Sequence, residues 1–228
     1  MTKVLIVGSP QRIEELQNRV WNNCQMTVFN GTGFDDLANQ AGLYDLVVDL
    51  NLDEQPVRIN AYKGLDVPVI VAAVKVQLAE MGALVDGALN CTLIGMNCLS
   101  TFIDRPVIEL SLYNQKDKVK LKTLMADLGQ EFQLVEDRVG MVTPRILFMI
   151  MNEACYTLQE GTASIPDIDL GMKLGTSFPY GPFEWADRIG LEDVYTTLEA
   201  VYDDTKDERY KICPLLKTKY LRDEIFIK

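Results

Sequence analysis

Gly8, Ser9, Pro10 and Ile13 occupy the junction between a short β-branched run, residues 4–7, and a segment whose apolar residues recur at helical spacing. A phosphate-binding turn of the form Gly-x-Gly-x-x-Gly would begin at Gly8. Its second glycine lets backbone approach a pyrophosphate and its third lets helix and strand touch; here those places hold Pro10 and Ile13. Proline adds a ring and has no N–H to donate. The stretch reads better as a helix start, with Ser9 as N-cap and Pro10 in the first helical position. At the end of the next apolar run, Asn30 stands where an acidic residue would bind a ribose hydroxyl, although Asn-Gly is also an ordinary turn. Gly8 and Asn30 are the candidate cofactor-binding residues.

The chain contains no histidine. Any general base must therefore be a shifted carboxylate, lysine, cysteine or tyrosine, and Ser-His-Asp or Cys-His catalysis is excluded. Cys24, Cys91, Cys98, Cys155 and Cys213 are scattered singly, with no Cys-x-x-Cys pair, and read as small core residues in a reducing compartment rather than as a metal set. Near the carboxyl end, SFPYGPFEWADRIG (177–190) concentrates four aromatic residues between Gly/Pro punctuation. It reads as a packing corner, with Glu184 and Asp187 on a solvated helix face.

Elements that could position such residues follow from periodicity. The runs at 4–7, 26–29, 44–50 and 67–74 read as strands, the last apolar enough to expect cover on both faces. Ile13, Leu16, Val20 and Trp21 mark one helix face, 77–88 reads as a helix, and Leu121, Leu124, Met125 and Leu128 mark another. CTLIGMN (91–97) and VIELSLY (107–113) are further strands. This alternation predicts a truncated Rossmann-like, doubly wound parallel sheet over residues 1–137. From 138 to 228 no strand-like alternation appears, and an all-helical domain is expected. Its first helix begins near Pro144 and ends at Gly161; the run 146–151 is apolar on every face, which predicts a helix buried all round.

With 48% apolar residues in 228, the chain can bury a sizeable core. Its 22 Lys and Arg against 33 Asp and Glu give a net charge of −11, which argues against a nucleic-acid partner. No run approaches the roughly 18 apolar residues of a membrane span, and a cytoplasmic location is expected.

DIDLGMKLGTSFPYGPFEWADRIGLEDVY (167–195), preceded by EDRVGMVTPRILFMIMNEACYTLQEGTAS and followed by ERYKICPLLKTKY, resembles the C-terminal domain of the 3-hydroxyacyl-CoA dehydrogenase family over about residues 135–220. That domain carries an Asp-Ile-Asp, a Lys-Leu-Gly, a Gly-Pro-Phe-Glu and an Arg-Tyr followed by Pro-Leu-Leu, in this order. YDLVVDLNLDE and IGMNCLSTFIDRPVIEL continue the likeness more faintly upstream. The resemblance implies NAD as cofactor, a 3-hydroxyacyl-CoA as substrate, and a helical domain that dimerises. It aligns the family's catalytic histidine with Asn97, keeps the acidic residue that orients it as Glu109, and places Pro144 where the family has an asparagine. The family's strand-end serine falls in VAAVKVQ (71–77), which has no hydroxyl, and its CoA-binding lysines fall in a segment mostly deleted between residues 30 and 44. The expectation is a non-catalytic homologue that forms a homodimer or a heterodimer with an active relative, without a cofactor. The alternatives are an NAD-dependent enzyme using Asn97, Glu109 and Tyr113, or an acyl-CoA-binding protein.

Overall fold

The β-branched runs form the strands of one sheet: β1 (Thr2–Val7), β2 (Cys24–Val28), β3 (Leu46–Asp49), β4 (Pro68–Ala72), β5 (Thr92–Met96), β6 (Val107–Leu112) and β7 (Glu131–Leu134), in the order β2-β1-β3-β4-β5-β6-β7. They belong to the first of two units, Met1–Met141 and Val142–Lys228, in a computed structural model that describes residues 1–31 and 33–227. Every pairing is parallel except β5 with β6. The sheet is the doubly wound, mostly parallel one that the alternation predicts; at the single antiparallel pair, residues 97–106 turn back without the crossover helix that a parallel return requires. In the usual dinucleotide-binding order two strands lie beyond β1 on its outer side; here β2 alone does, and β3 sits directly on β1.

Side chains alternate between two cores. Val4, Ile6, Leu46, Val48, Ile70 and Ala72 face α1 (Pro10–Asn18) and α4 (Lys118–Asp127), packing on Leu16, Leu121 and Met125. Leu5, Val47, Val69 and Val71 face the other way, against Leu37 and Ala41 of α2 (Phe34–Ala41), Leu78 and Met81 of α3 (Leu78–Ala83), and Ile59 of the 3-10 segment Pro56–Ala61. Each such fully buried Val, Leu or Ile stabilises by about 1.5–3 kcal/mol relative to exposure. Helix α1 ends before Val20, which is 81% exposed, so the expected four-residue stripe is only its first half plus the buried Trp21 beyond. The expected helix at 77–88 is shortened to Leu78–Ala83; Gly87, at φ +101°, lies in a conformation no helix admits.

Among the described residues the second unit has five α-helices and no strand: α5 (Thr143–Gln159), α6 (Ile165–Thr176), α7 (Pro182–Ile189), α8 (Leu191–Thr205) and α9 (Pro214–Leu221). Pro144 starts α5, and Gly161 follows its end at φ +72°. Leu147, Phe148, Met151 and Cys155 are buried, but Ile146 is 59% exposed and Met149 and Ile150 are half-buried. The prediction of a helix covered all round is thereby overturned: α7, α8 and α9 pack on α5 and leave Ile146 uncovered. No helix among the described residues is long and apolar enough to cross a membrane.

Candidate functional site

In an open α/β sheet the ligand crevice lies beyond the carboxyl ends of the strands, where neighbouring connections leave for opposite faces. That place here is the gap between β1 and β3, bounded by Gly8, Ser9 and the start of α1 on one side and by Leu50 and Asn51 on the other. The Ser9 backbone N–H donates to Asn51 Oδ1 at 2.8 Å. Ser9 is the N-cap of α1 by backbone conformation, yet its side chain makes no capping bond. A Cβ on Gly8 would lie 2.9 Å from Leu50 Cβ and 3.1 Å from Asn51 Oδ1, so the glycine is required by the chain's own β3 end. Arg12, 4% exposed, donates from Nη1 to the Leu50 carbonyl at 2.8 Å and meets Glu54 at 3.1 Å.

The next shell fixes Asn51. Its N–H donates to Asp49 Oδ1 at 3.1 Å. Asp49, fully buried, also accepts from Arg58 at 2.9 and 2.7 Å and from the Tyr62 hydroxyl at 2.8 Å. Burial, reinforced by Asp49, pushes the Tyr62 phenol up, so it stays a donor. At the end of β4, Asp53 Oδ2 accepts the Val74 and Lys75 N–H groups, both at 3.1 Å, while its Oδ1 is buried without a hydrogen-bond partner. Burial raises its pKa above the usual carboxylate range, against the opposing pull of Lys75 and Arg12. The stretch VAAVKVQ thus has its strand end capped internally.

The crevice does not fit a dinucleotide pyrophosphate. Pro10 has no N–H, the Ser9 N–H is already taken, and no third glycine admits close helix contact. Beside it, at the ends of β1 and β2, a cavity of about 380 Å³ is lined by Val7, Phe29, Phe34, Leu37, Val57 and Arg58. Asn30 lies just past β2 on the same edge.

Asn97 and Glu109 do come together. They are neighbours on the antiparallel β5–β6 pair, and the Asn97 N–H donates to the Glu109 carbonyl at 3.2 Å. Asn97 is buried, and its Oδ1 accepts from the Leu99 N–H at 3.3 Å. Three strand steps separate β5 from β1, about 14 Å, so this pair and Gly8 share an edge without touching. Tyr113 belongs elsewhere: its N–H bonds to the Leu93 carbonyl, four residues or about 13 Å along β5 from Asn97. Cys91, Cys98, Cys155 and Cys213 are buried and Cys24 is half-buried, all unbridged; burial pushes the Cys98 thiol well up, which makes it unreactive. No cluster of three metal-ligating side chains occurs among the described residues.

In the helical unit the conspicuous motifs hold one another. Asp169, buried on α6, accepts from the Phe183 and Glu184 N–H groups at 2.9 and 3.1 Å, capping α7. The atoms of its side chain lie 2.2–2.4 Å from where a Cβ on Gly181 would be, so Gly-Pro-Phe-Glu begins with glycine to admit Asp169. Asn152 of α5 clasps the loop before α9, accepting from the Cys213 N–H at 2.8 Å and donating to the Lys211 carbonyl at 2.9 Å. Asp187 is not the solvated residue its i, i+3 pairing with Glu184 suggests; it accepts from Phe226 and Ile227, 39 and 40 residues on. Glu184 pairs with Lys173 at 2.6 Å and Arg188 at 3.3 Å.

Asn51, Arg12 and Asp53 escaped the sequence reading. The available signal was Asp49 within the run LVVDL, since a charge among buried strand residues must be paired.

Residues 140–225 match the model of the 3-hydroxyacyl-CoA dehydrogenase C-terminal domain. A 3-hydroxybutyryl-CoA dehydrogenase of Bradyrhizobium diazoefficiens is 40% identical over 100 residues, 44% of this chain and 34% of that protein. One of Clostridioides difficile is 26% identical over 208 residues, 83% of this chain and 68% of that protein. The chain spans about a third of the length of the Bradyrhizobium relative and 38% of a Bacillus subtilis one. In fold it is similar to the (S)-3-hydroxybutyryl-CoA dehydrogenase of Ralstonia eutropha, with a TM-score of 0.76 at 22% identity over the whole of both chains. M. tuberculosis FadB2 gives 0.80 at 17% identity, over all of this chain and 96% of that one. The helical unit is thus matched by sequence to the C-terminal domain of the 3-hydroxyacyl-CoA dehydrogenase family, and the whole length is similar in fold to a 3-hydroxybutyryl-CoA dehydrogenase.

Proposed function

We propose that this chain is a non-catalytic member of the 3-hydroxyacyl-CoA dehydrogenase family that works by association, pairing through its helical unit with a second copy or with an active homologue. Helix α6 carries the reading. Its sequence IPDIDLGMKLGT carries Ile165, Ile168, Leu170, Met172 and Leu174, yet the only residue it buries is Asp169. Leu170 and Leu174, 55% and 76% exposed, form a ridge one turn apart. Grooves flank the helix, one of about 380 Å³ against Ile150 and Ala154 of α5, the other of about 780 Å³ against Phe226 and Ile227. The apolar stripe of a helix is ordinarily buried, and on a chain of net charge −11 an exposed leucine ridge is where two copies can approach.

The relatives' names describe dehydrogenases, and NAD-dependent oxidation of a 3-hydroxybutyryl-CoA is the competing reading. It needs a proton acceptor where Asn97 stands, and an amide accepts no proton at neutral pH. Loss of a general base costs typically about 10²–10⁴-fold in rate.

Sedimentation of the full chain at micromolar concentration tests the proposal. A dimer is expected, converted to monomer with unchanged circular dichroism by Leu170→Glu combined with Leu174→Glu. A monomer both alone and with an active homologue refutes it.

A further inference from the structure

The crevice between β1 and β3 is closed by the chain itself, and the manner of closure is specific. Two groups converge on it from opposite sides. Asn51, beyond the end of β3, directs Oδ1 at the Ser9 N–H, 2.8 Å away. Arg12, one turn into α1, reaches back to the Leu50 carbonyl at 2.8 Å and to Glu54 at 3.1 Å. Neither is a loose surface contact. Arg12 is 4% exposed, and Asn51 is held by its own N–H on Asp49, a carboxylate that Arg58 and Tyr62 keep in place.

Chemically, the Asn51 carboxamide oxygen is an acceptor presented to a backbone donor at a helix start, the role a phosphate oxygen plays in a dinucleotide site. Arg12 supplies a cation, but it is directed at the protein's own carbonyl and carboxylate. A bound pyrophosphate would need the Ser9 donor released, Arg12 withdrawn from the Leu50 carbonyl and from Glu54, and Asn51 displaced from a position fixed by Asp49.

We infer that Asn51 and Arg12 are a built-in replacement for the dinucleotide, a latch that joins the β1–α1 turn to the β3 end and keeps the crevice shut to phosphate-bearing cofactors. Asn51 is a positioning residue, acting on the Ser9 backbone. The inference is independent of association through α6, and its test reads a different quantity from oligomeric state.

Amide hydrogen exchange by NMR on the full chain is the direct measurement. The Ser9 N–H is expected to exchange as slowly as the amides within β1, with exchange unchanged by NADH or inorganic pyrophosphate up to about 5 mM, a concentration that would register even millimolar binding. In Asn51→Ala the Ser9 amide is expected to lose protection at least tenfold while the β1 amides keep theirs. Calorimetric titration with NADH is expected to give no saturable heat. Fast exchange at Ser9 in the unaltered chain, equal protection in Asn51→Ala, or NADH binding below about 1 mM each overturns the inference. The wild-type exchange and titration stand whether or not the variant folds.

Discussion

The two units use one device to opposite ends. In each, buried or half-buried polar side chains complete backbone N–H groups at the starts and ends of elements. Asp169 does so for α7 and Asn152 for the loop before α9; Asn51 does so for the β1–α1 turn and Asp53 for the end of β4. In the helical unit these bonds tie motif to motif inside and leave an apolar exterior on α6, with Leu170 and Leu174 exposed. In the sheet unit they close the edge where an α/β protein receives its ligand. The difference teaches that a buried hydrogen bond identifies no function by itself. Its position relative to the ligand-receiving edge decides whether it builds a surface or removes one.

The contrast can be broken by substitution. Asp49→Ala strands the Arg58 guanidinium and the Tyr62 hydroxyl in the sheet unit, and removing one partner of a buried pair costs about 3–5 kcal/mol. Urea denaturation should show that loss; one below about 1 kcal/mol would mean the network beneath Asn51 is slack. Asp169→Ala leaves the Phe183 and Glu184 N–H groups of α7 uncapped, and a loss of about 2–3 kcal/mol is expected by the same measurement. Equal sensitivity to Asp49→Ala and Asp169→Ala would erase the difference in how firmly the two units are held.

Asp53 sharpens the comparison through pH. Its folded pKa is raised by burial above the unfolded value of about 3.9, so the folded state holds that proton more tightly. The resulting stabilisation is fully present below the unfolded pKa and is lost as pH rises through the folded pKa. Asp53→Asn keeps an oxygen for the Val74 and Lys75 N–H groups and removes the charge. It should flatten the pH dependence of the melting temperature above pH 4 and leave stability at pH 7 equal to or above the unaltered chain. A steeper dependence in the variant would refute the assignment. The smallest effect belongs to Arg188→Ala on the helical surface, where the 3.3 Å pair with Glu184 is solvent-exposed; a change within about 0.5 kcal/mol is expected in thermal melts.

How much could be read in advance depended on the range of the interaction. Strands such as β1 and β4 were legible because a short β-branched run bounded by turn residues carries its own signal. The helical unit was legible because no strand-like alternation follows residue 138 and because its motifs resemble a known domain, although the mutual fit of Asp169 and Gly181 was not legible. The antiparallel turn of β6 and the strand β7 were missed, since neither follows from local pattern. Asn51 was invisible because its partner lies 42 residues earlier, and Asp187 was misread because its partners lie 39 and 40 residues later. The exposure of Ile146 was misjudged for another reason: periodicity says which residues seek cover, while the supply of cover belongs to the assembled unit.

The contact of Asp169 with Gly181 also bears on how this fold can change over generations. Any side chain at position 181 would collide with the carboxylate from position 169, and losing that carboxylate uncaps α7. Neither position can drift alone without a penalty. A side chain at position 181 requires a smaller one at position 169, and a smaller one at 169 requires another acceptor for α7.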